Sequence, residues 1–291
     1  MRYGLIYFLV AGFFFFSQTA KLSAYQNRVK IYMEGDYRHI ESNGIPGHET
    51  GPFPNPHNPN TISEQNFHYK VPARPQIAAT LTKVELWPFG IAQNGIPFDP
   101  NAAEFWNNDP NSGWRYEALS GAINLGFDQN MAHVQPGGIY HYHGVPKPLL
   151  SGQKSSEHSK LMGYAADGFP IFAIYGYADP NSAAKGVKEL KGGYRIKKGV
   201  RPNGPGGTYD GTFVQDYEYV PGTGDLDECN GRKTYAPGYD GQVYAYYITN
   251  NYPVIPRCLK GSPDPSFVRK PFAHPPHPYG GPPGRRGPPG R

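Results

Sequence analysis

Turn signals recur about every 8 to 15 residues between residues 25 and 265. This frequent interruption of regular secondary structure constrains the fold more than any other feature. The 291-residue chain contains 37 glycines and 32 prolines. Both residue types disfavour helix interiors, because proline lacks a backbone donor and glycine loses more conformational freedom on folding. The sequence therefore predicts a mainly β protein: one compact domain of antiparallel strands and hairpins, with long Pro/Gly-rich loops and little helix.

Local signals mark individual hairpins and two short helices. Asn94-Gly95 and Asp167-Gly168 each separate two apolar runs. Glycine can adopt the positive φ that a tight hairpin turn requires, so both dipeptides predict hairpins. Residues 99–109 and residues 180–192 favour short helices instead, the first through its Asp-Pro start and the second through its alanines and lysines.

The first 24 residues resemble a secretory signal peptide. Arg2 precedes an apolar run over residues 5–16, and Ala20 and Ala24 supply small residues for cleavage. The run is short for a membrane span, although an uncleaved anchor is the alternative. We therefore expect export to the periplasm, the cell surface or the medium.

The two cysteines fit an exported protein. Cys229 and Cys258 are the only cysteines of the chain. In an oxidising compartment such a pair is expected to form a disulfide. A metal site of two thiolates is the alternative, but the spacing is not the CxxC of common thiolate sites.

The net charge of +5 comes from the two ends of the chain. Residues 266–291 contain no acidic residue, and we expect this Pro/Gly/Arg-rich tail to be disordered. The body is slightly acidic, which argues against a nucleic-acid-binding protein. The tail could contact an anionic envelope surface or remain solvated. Its cationic residues are Arg269, Lys270, Arg285, Arg286 and Arg291.

The stretch YHYH at residues 140–143 carries the most distinctive chemistry. Side chains alternate between the two faces of a strand, so His141 and His143 share one face and the two tyrosines share the other. Imidazoles at i and i+2 can bind one metal ion from a rigid strand. The same spacing also suits histidines that only pack and hydrogen-bond, or a histidine acting as acid or base without a metal.

A third histidine joins this pair if the strand belongs to a hairpin. A loop at residues 136–138 would place His133 opposite His141, and opposed residues point to the same face. A register shift of one residue would remove His133 from the cluster. Three imidazoles with an open coordination position suit copper or zinc, and an oxidising compartment slightly favours copper.

Further candidate ligands lie outside this hairpin. Asp128 and Asp167 could supply a fourth ligand or orient the imidazoles. His48 occurs in a loop stiffened by prolines, where it could be another ligand or an incidental surface residue.

The segment GDLDECNG suggests a weaker metal site, for calcium. It contains Asp225, Asp227 and Glu228, but Cys229 and Asn230 replace the oxygen ligand and the glycine of an EF-hand loop. An acidic turn without a metal is the simpler interpretation. The chain also lacks the GxSxG motif of serine hydrolases and the P-loop of nucleotide-binding proteins.

Several long motifs appear in order from about residue 38 to residue 265. They include NGIPFDP, LGFDQNMAHVQPGGIYHYHGVP, GYAADGFPIF and DLDECNGR. With these motifs the chain resembles the YHYH-domain family of exported proteins. The resemblance implies one exported domain over residues 25–265 and no particular reaction. The residues that it marks as parts of shared motifs are His48, His133, His141, His143 and Asp167.

Two classes of function stay open at this point. The first is a protein with a histidine-based copper or zinc site, used for catalysis on a small molecule or for metal storage and delivery. The second is a surface or envelope module that binds a glycan or a protein, with a structural metal or none.

Overall fold

The computed structural model describes residues 26–268 of the chain. The predicted signal peptide and most of the predicted tail lie outside these residues. Within the described part the protein is mainly β and contains four short 3₁₀ helices but no α-helix, as the sequence predicted. No helix in residues 26–268 has the length and apolar character needed to cross a membrane.

The regular elements are numbered in chain order. The 3₁₀ helices are η1 Trp106–Asn108, η2 Pro110–Ser112, η3 Lys147–Leu150 and η4 Val214–Asp216. The strands are β1 Val29–Glu34, β2 Tyr37–Ser42, β3 Phe67–Pro72, β4 Thr82–Lys83, β5 Gly90–Ala92, β6 Pro97–Phe98, β7 Ala132–Gln135, β8 Ile139–Tyr142, β9 Gly163–Ala165, β10 Pro170–Ala173, β11 Tyr175–Asp179, β12 Ser182–Glu189, β13 Tyr194–Ile196, β14 Tyr217–Tyr219, β15 Gly231–Tyr235, β16 Gln242–Ile248 and β17 Cys258–Leu259.

An eight-stranded sheet forms the centre of the fold. Its strand order is β15-β16-β10-β9-β5-β6-β8-β7. The pairs β10–β16 and β6–β8 are parallel, and the other neighbours are antiparallel. A separate sheet contains β1, β2 and β3. The hairpin β7–β8 therefore lies at one side of the large sheet, with β7 as its last strand.

Both predicted tight hairpins are confirmed. Around Asn94-Gly95, strands β5 and β6 pair in antiparallel fashion, and Gly95 has a φ of +75°. Around Asp167-Gly168, strands β9 and β10 pair in the same way, and Gly168 has a φ of +91°. A positive φ is accessible to glycine without a Cβ clash, so these two dipeptides determine where the chain reverses.

The helix prediction for residues 180–192 was wrong, and the one for residues 99–109 holds only for a single 3₁₀ turn. Within residues 180–192 the chain forms strand β12, Ser182–Glu189, which pairs with β11. The alanines and lysines favour helix only weakly, whereas the turn at Pro180-Asn181 returns the chain beside β11, and Gly186 has a φ of +82° that a helix excludes. In residues 99–109 only η1 is helical in type, and its Asn107 has a non-helical φ of +56°.

The main core lies on the tyrosine face of β8. Tyr140, Tyr142 and Phe98 are fully buried in one cluster with side chains from β5, β9, β10 and β16. Burial of such rings is a large source of stability because each removes much apolar surface from water. The core thus fixes which face of β8 points inward and leaves the histidines on the other face.

Two features hold the C-terminal part of the described residues to the rest of the fold. Cys229 and Cys258 form the predicted disulfide, which excludes the alternative of a thiolate metal pair. Phe267 is fully buried and stacks on Tyr69, with ring centroids 4.4 Å apart. The packed body therefore continues through Phe267, two residues beyond the domain boundary that the sequence predicted.

Candidate metal centre

The hairpin β7–β8 has the register that the sequence predicted. His133 lies opposite His141, and Gln135 lies opposite Ile139, with the turn at residues 136–138. Because opposed residues point to the same face, this register brings His133 onto the face of His141 and His143. Each of the three imidazoles offers one ligand nitrogen, and these nitrogens all lie within 4.8 Å of one another.

The three Nε2 atoms converge on one point. The Nε2–Nε2 distances are 3.1 Å from His133 to His141, 2.8 Å from His141 to His143 and 3.2 Å from His143 to His133. Three imidazoles bound tetrahedrally to one ion at 2.0–2.1 Å have nitrogens about 3.3 Å apart. The triangle is close to that size, so the residues fit a single transition-metal ion.

Backbone carbonyls determine the tautomers of two of these histidines. Nδ1–H of His133 donates to the Leu125 carbonyl at 2.9 Å, and Nδ1–H of His141 donates to the Ile139 carbonyl at 3.2 Å. In a neutral imidazole with hydrogen on Nδ1, the Nε2 atom carries a lone pair. Two lone pairs therefore point at the shared centre, an arrangement that a cation stabilises.

His143 completes the triangle and is as deeply buried as His141. Its side chain is 3% exposed, and its Nδ1 atom is buried without a hydrogen-bond partner among the described residues. Burial, followed by the neighbouring His141 and His133, holds its pKa well below the usual value. His143 is therefore neutral, the form in which an imidazole binds a metal.

The surroundings of the triangle are largely apolar. The Phe127 ring packs against His133 and His143, with centroid distances of 5.0 and 5.2 Å. Ala118 and Leu125 belong to a small buried cluster beside Phe127. The sequence reasoning missed Phe127 and the Leu125 carbonyl. Phe127 precedes Asp128 in the motif LGFDQNMAHVQPGGIYHYHGVP, but no sequence pattern signals a backbone carbonyl as a partner.

Comparison with known proteins gives one finding. The family model described as "YHYH protein" matches residues 68–261. The chain belongs to the YHYH family. The match contains all three histidines of the triangle and the hairpin that carries them. No curated protein and no solved structure matches the chain.

His48 of this YHYH protein lies on the opposite side of β8. Its Nδ1–H donates to the Glu49 carbonyl at 2.9 Å, and its Nε2 accepts a hydrogen bond from the Tyr142 hydroxyl at 2.6 Å. The Asn94 amide also donates to that hydroxyl, at 2.9 Å. The structure thus does not bring His48 to the metal triangle and uses it to tie a loop to the tyrosine face.

Asp128 shares that tyrosine side of β8. It accepts a hydrogen bond from the Tyr140 hydroxyl at 2.7 Å and another from the Gly51 backbone at 3.1 Å. It therefore holds the loop around residue 51 against the hairpin and does not contact the triangle of imidazoles.

Asp167 also lies apart from the triangle. Its carboxyl group accepts hydrogen bonds from the Tyr246 hydroxyl at 2.6 Å and from the Gly261 backbone at 2.9 Å. Burial raises its pKa to about 6, and these hydrogen bonds oppose the rise. Asp167 therefore joins the β9–β10 turn to β16 and to the segment after β17.

The carboxylates of the acidic segment proposed for calcium form ion pairs with lysines. Lys188 Nζ is 2.5 Å from Asp225, and Lys260 Nζ is 3.4 Å from Asp227 and 2.8 Å from Glu228. These ion pairs give each carboxylate a cation from the chain itself. In the described residues the segment thus serves as a charged turn next to the disulfide.

Proposed function

We propose that this protein is an exported metalloprotein that binds one copper or zinc ion through His133, His141 and His143. The convergence of the three Nε2 atoms within 2.8–3.2 Å of one another carries the proposal. Copper is favoured, because imidazole ligands suit it and divalent copper binds nitrogen sites more tightly than zinc does. The disulfide supports export, since such bonds persist in oxidising compartments.

The chain supplies three protein ligands, which is typical of catalytic rather than closed structural sites. A metal bound there would supply Lewis-acid or redox chemistry at its remaining coordination position. The residues of the chain have separate tasks. Leu125 and Ile139 orient two imidazoles through their carbonyls, and Phe127 packs an apolar ring against His133 and His143.

Elemental analysis of the purified mature protein tests the proposal. We expect about one equivalent of copper or zinc per chain, as for other sites with a single set of ligands. The double variant His141→Ala/His143→Ala should contain none while remaining folded. The proposal is abandoned if the wild-type protein takes up neither metal, even after reconstitution with each.

A matched control removes two other histidines. His57 and His68 are exposed and lie outside the triangle, so the double variant His57→Ala/His68→Ala should keep its metal. An equal loss of metal in both double variants would indicate binding by scattered surface histidines instead.

Mass spectrometry of the exported protein would test cleavage after the predicted signal peptide.

A glycan-binding module is the second candidate, favoured by a polar groove on the sheet of β1, β2 and β3. The groove has a volume of about 470 Å³, and Asn27, Arg28, Glu41, Asn43 and Gln65 are among its lining residues. Amide and charged side chains suit the hydroxyl groups of sugars. On a glycan array this function predicts binding that survives in His141→Ala/His143→Ala and is lost in Arg28→Ala.

A further inference from the structure

Asp167, which the metal centre does not use, lines a pocket of its own. The pocket has a volume of about 360 Å³ and lies between the segment that follows β3 and the segment that follows β17. Arg74, Gln76, Ile77 and Ser262 are among the other lining residues. Its size is within the range of small-molecule sites, roughly 300–1,000 Å³.

The Asp167 carboxylate is held rigidly but retains hydrogen-bonding capacity. Its side chain is 1% exposed, and Oδ2 accepts from Tyr246 and Gly261 at 2.6 and 2.9 Å. Oδ1 accepts from the Phe169 backbone at a longer distance of 3.3 Å. Each carboxylate oxygen can accept two hydrogen bonds, so Oδ1 can take another donor.

Asp167 lacks the cationic partner that the buried carboxylates Asp216 and Glu117 have. Buried Asp216 pairs with Arg201 at 2.6 Å, and buried Glu117 pairs with Arg257. None of the ion pairs found within residues 26–268 includes Asp167. A buried ionised carboxylate is costly without a counterion, which a ligand can supply.

The remaining lining residues define the shape of a suitable ligand. Ser262 and Gln76 offer oxygen acceptors beside the carboxylate, and Ile77, which is 60% exposed, offers an apolar wall. Arg74 lies at the rim, where its guanidinium is 2.6 Å from Asp36. A group with several N–H donors attached to an apolar chain matches this arrangement of oxygen acceptors beside an apolar side chain.

We propose that the pocket binds the primary ammonium group of a small amine, with Asp167 as its counterion. The ammonium group donates to Asp167 and to the oxygens of Ser262 and Gln76, while the alkyl part packs on Ile77. Such a group could belong to a simple alkylamine or to an α-amino acid, whose carboxylate would meet Arg74. This site is independent of the proposed metal centre.

Calorimetric titration of the full mature protein with n-butylamine, in phosphate buffer at neutral pH, tests the proposal. We expect saturable binding of n-butylamine and none of n-butanol, which has a similar shape without the charge. Asp167→Asn should weaken binding by about tenfold or more, the effect of losing one charge-assisted hydrogen bond. Binding of both compounds alike, or of neither, overturns the proposal.

A second variant covers the case in which Asp167→Asn does not fold. Ser262 is exposed at the pocket and makes none of the hydrogen bonds to Asp167, so Ser262→Trp fills the space and leaves the carboxylate contacts in place. This variant should lose amine binding and keep its melting temperature. Unchanged affinity in Ser262→Trp would show that the amine binds elsewhere.

A comparison of n-butylamine with norleucine distinguishes the two sources of the ammonium group. If the ligand is an α-amino acid, norleucine binds more tightly than n-butylamine, and Arg74→Ala removes only that difference. If the ligand is a simple amine, norleucine has no advantage and Arg74→Ala has no effect. Both results support an ammonium site.

Discussion

His133 and His141 face each other across the β7–β8 hairpin, and their Nε2 atoms are 3.1 Å apart. Each ring is oriented by a backbone carbonyl at its Nδ1 atom, so both Nε2 lone pairs point inward. His143, which directly follows the last residue of β8, adds a third Nε2 atom. A single hairpin thus carries the whole set of proposed ligands, and their geometry depends on one register.

Removal of one ligand should remove metal-dependent stabilisation. Added copper or zinc should raise the melting temperature of the wild-type protein, because an ion that binds only the folded state stabilises it by about 4 kcal/mol at a thousandfold excess over Kd. His141→Ala should show almost no such shift in calorimetry. His57→Ala is the control and should respond like the wild type; an equal shift in His141→Ala would contradict the assignment.

Phe127→Ala should weaken metal binding without removing a ligand. The ring packs on His133 and His143, so its loss admits water and frees the imidazoles. Groups that orient metal ligands typically contribute about 10- to 100-fold in affinity. Competition with a metal chelator would measure the change, and Phe127→Leu should lie near the wild type. Equal affinity in all three proteins would mean that the ring has no part in binding.

Tyr142→Phe should reduce stability and leave the metal content unchanged. In the folded protein the Tyr142 hydroxyl is hydrogen-bonded to His48 Nε2 and to the Asn94 amide. The substitution leaves both groups without this partner. Loss of a buried hydrogen-bond partner costs about 1–3 kcal/mol. Urea denaturation and elemental analysis of the same sample would check both parts. A drop in metal content would show that the two faces of β8 are coupled.

The disulfide should contribute about 3–4 kcal/mol to stability, since it closes a loop with a sequence separation of 29 residues. Cys229→Ser/Cys258→Ser should therefore unfold at a lower urea concentration than the wild type. The wild-type protein under reducing conditions should match the variant. A variant as stable as the oxidised wild type would contradict the expectation.

Asp167 should make the protein less stable at high pH. Its pKa is about 6 in the folded state, above the ordinary value of 3.8, so the folded state favours the protonated carboxyl group. The associated stability is fully present below pH 3.8 and is lost as the pH rises through 6. From pH 4 to pH 8 this loss is about 2–3 kcal/mol.

Urea denaturation of metal-free protein across that pH range would measure this effect. Asp167→Asn has no carboxyl group to titrate, so its free energy of unfolding should fall less between pH 4 and pH 8 than that of the wild type. Parallel curves for the two proteins would show that Asp167 ionises normally in the folded state.

The sequence alone predicted the features that depend on neighbours along the chain. Alternation of side chains along a strand places His141 and His143 on one face, and the turn at residues 136–138 sets the position of His133. Glycines with positive φ likewise fixed the hairpins at Asn94-Gly95 and Asp167-Gly168. These properties are local, because they follow from backbone geometry over a few residues.

The tertiary structure decided which distant segments meet. Packing brings Phe127 and the Leu125 carbonyl to the histidines, takes His48 to the tyrosine face and gives Asp167 its contacts with β16 and the segment after β17. It also made Ser182–Glu189 a strand, because pairing with β11 outweighs a weak helical preference. Such contacts are set by how the sheet and its loops pack. Local sequence patterns therefore determined the three proposed metal ligands, and the packed core determined their surroundings.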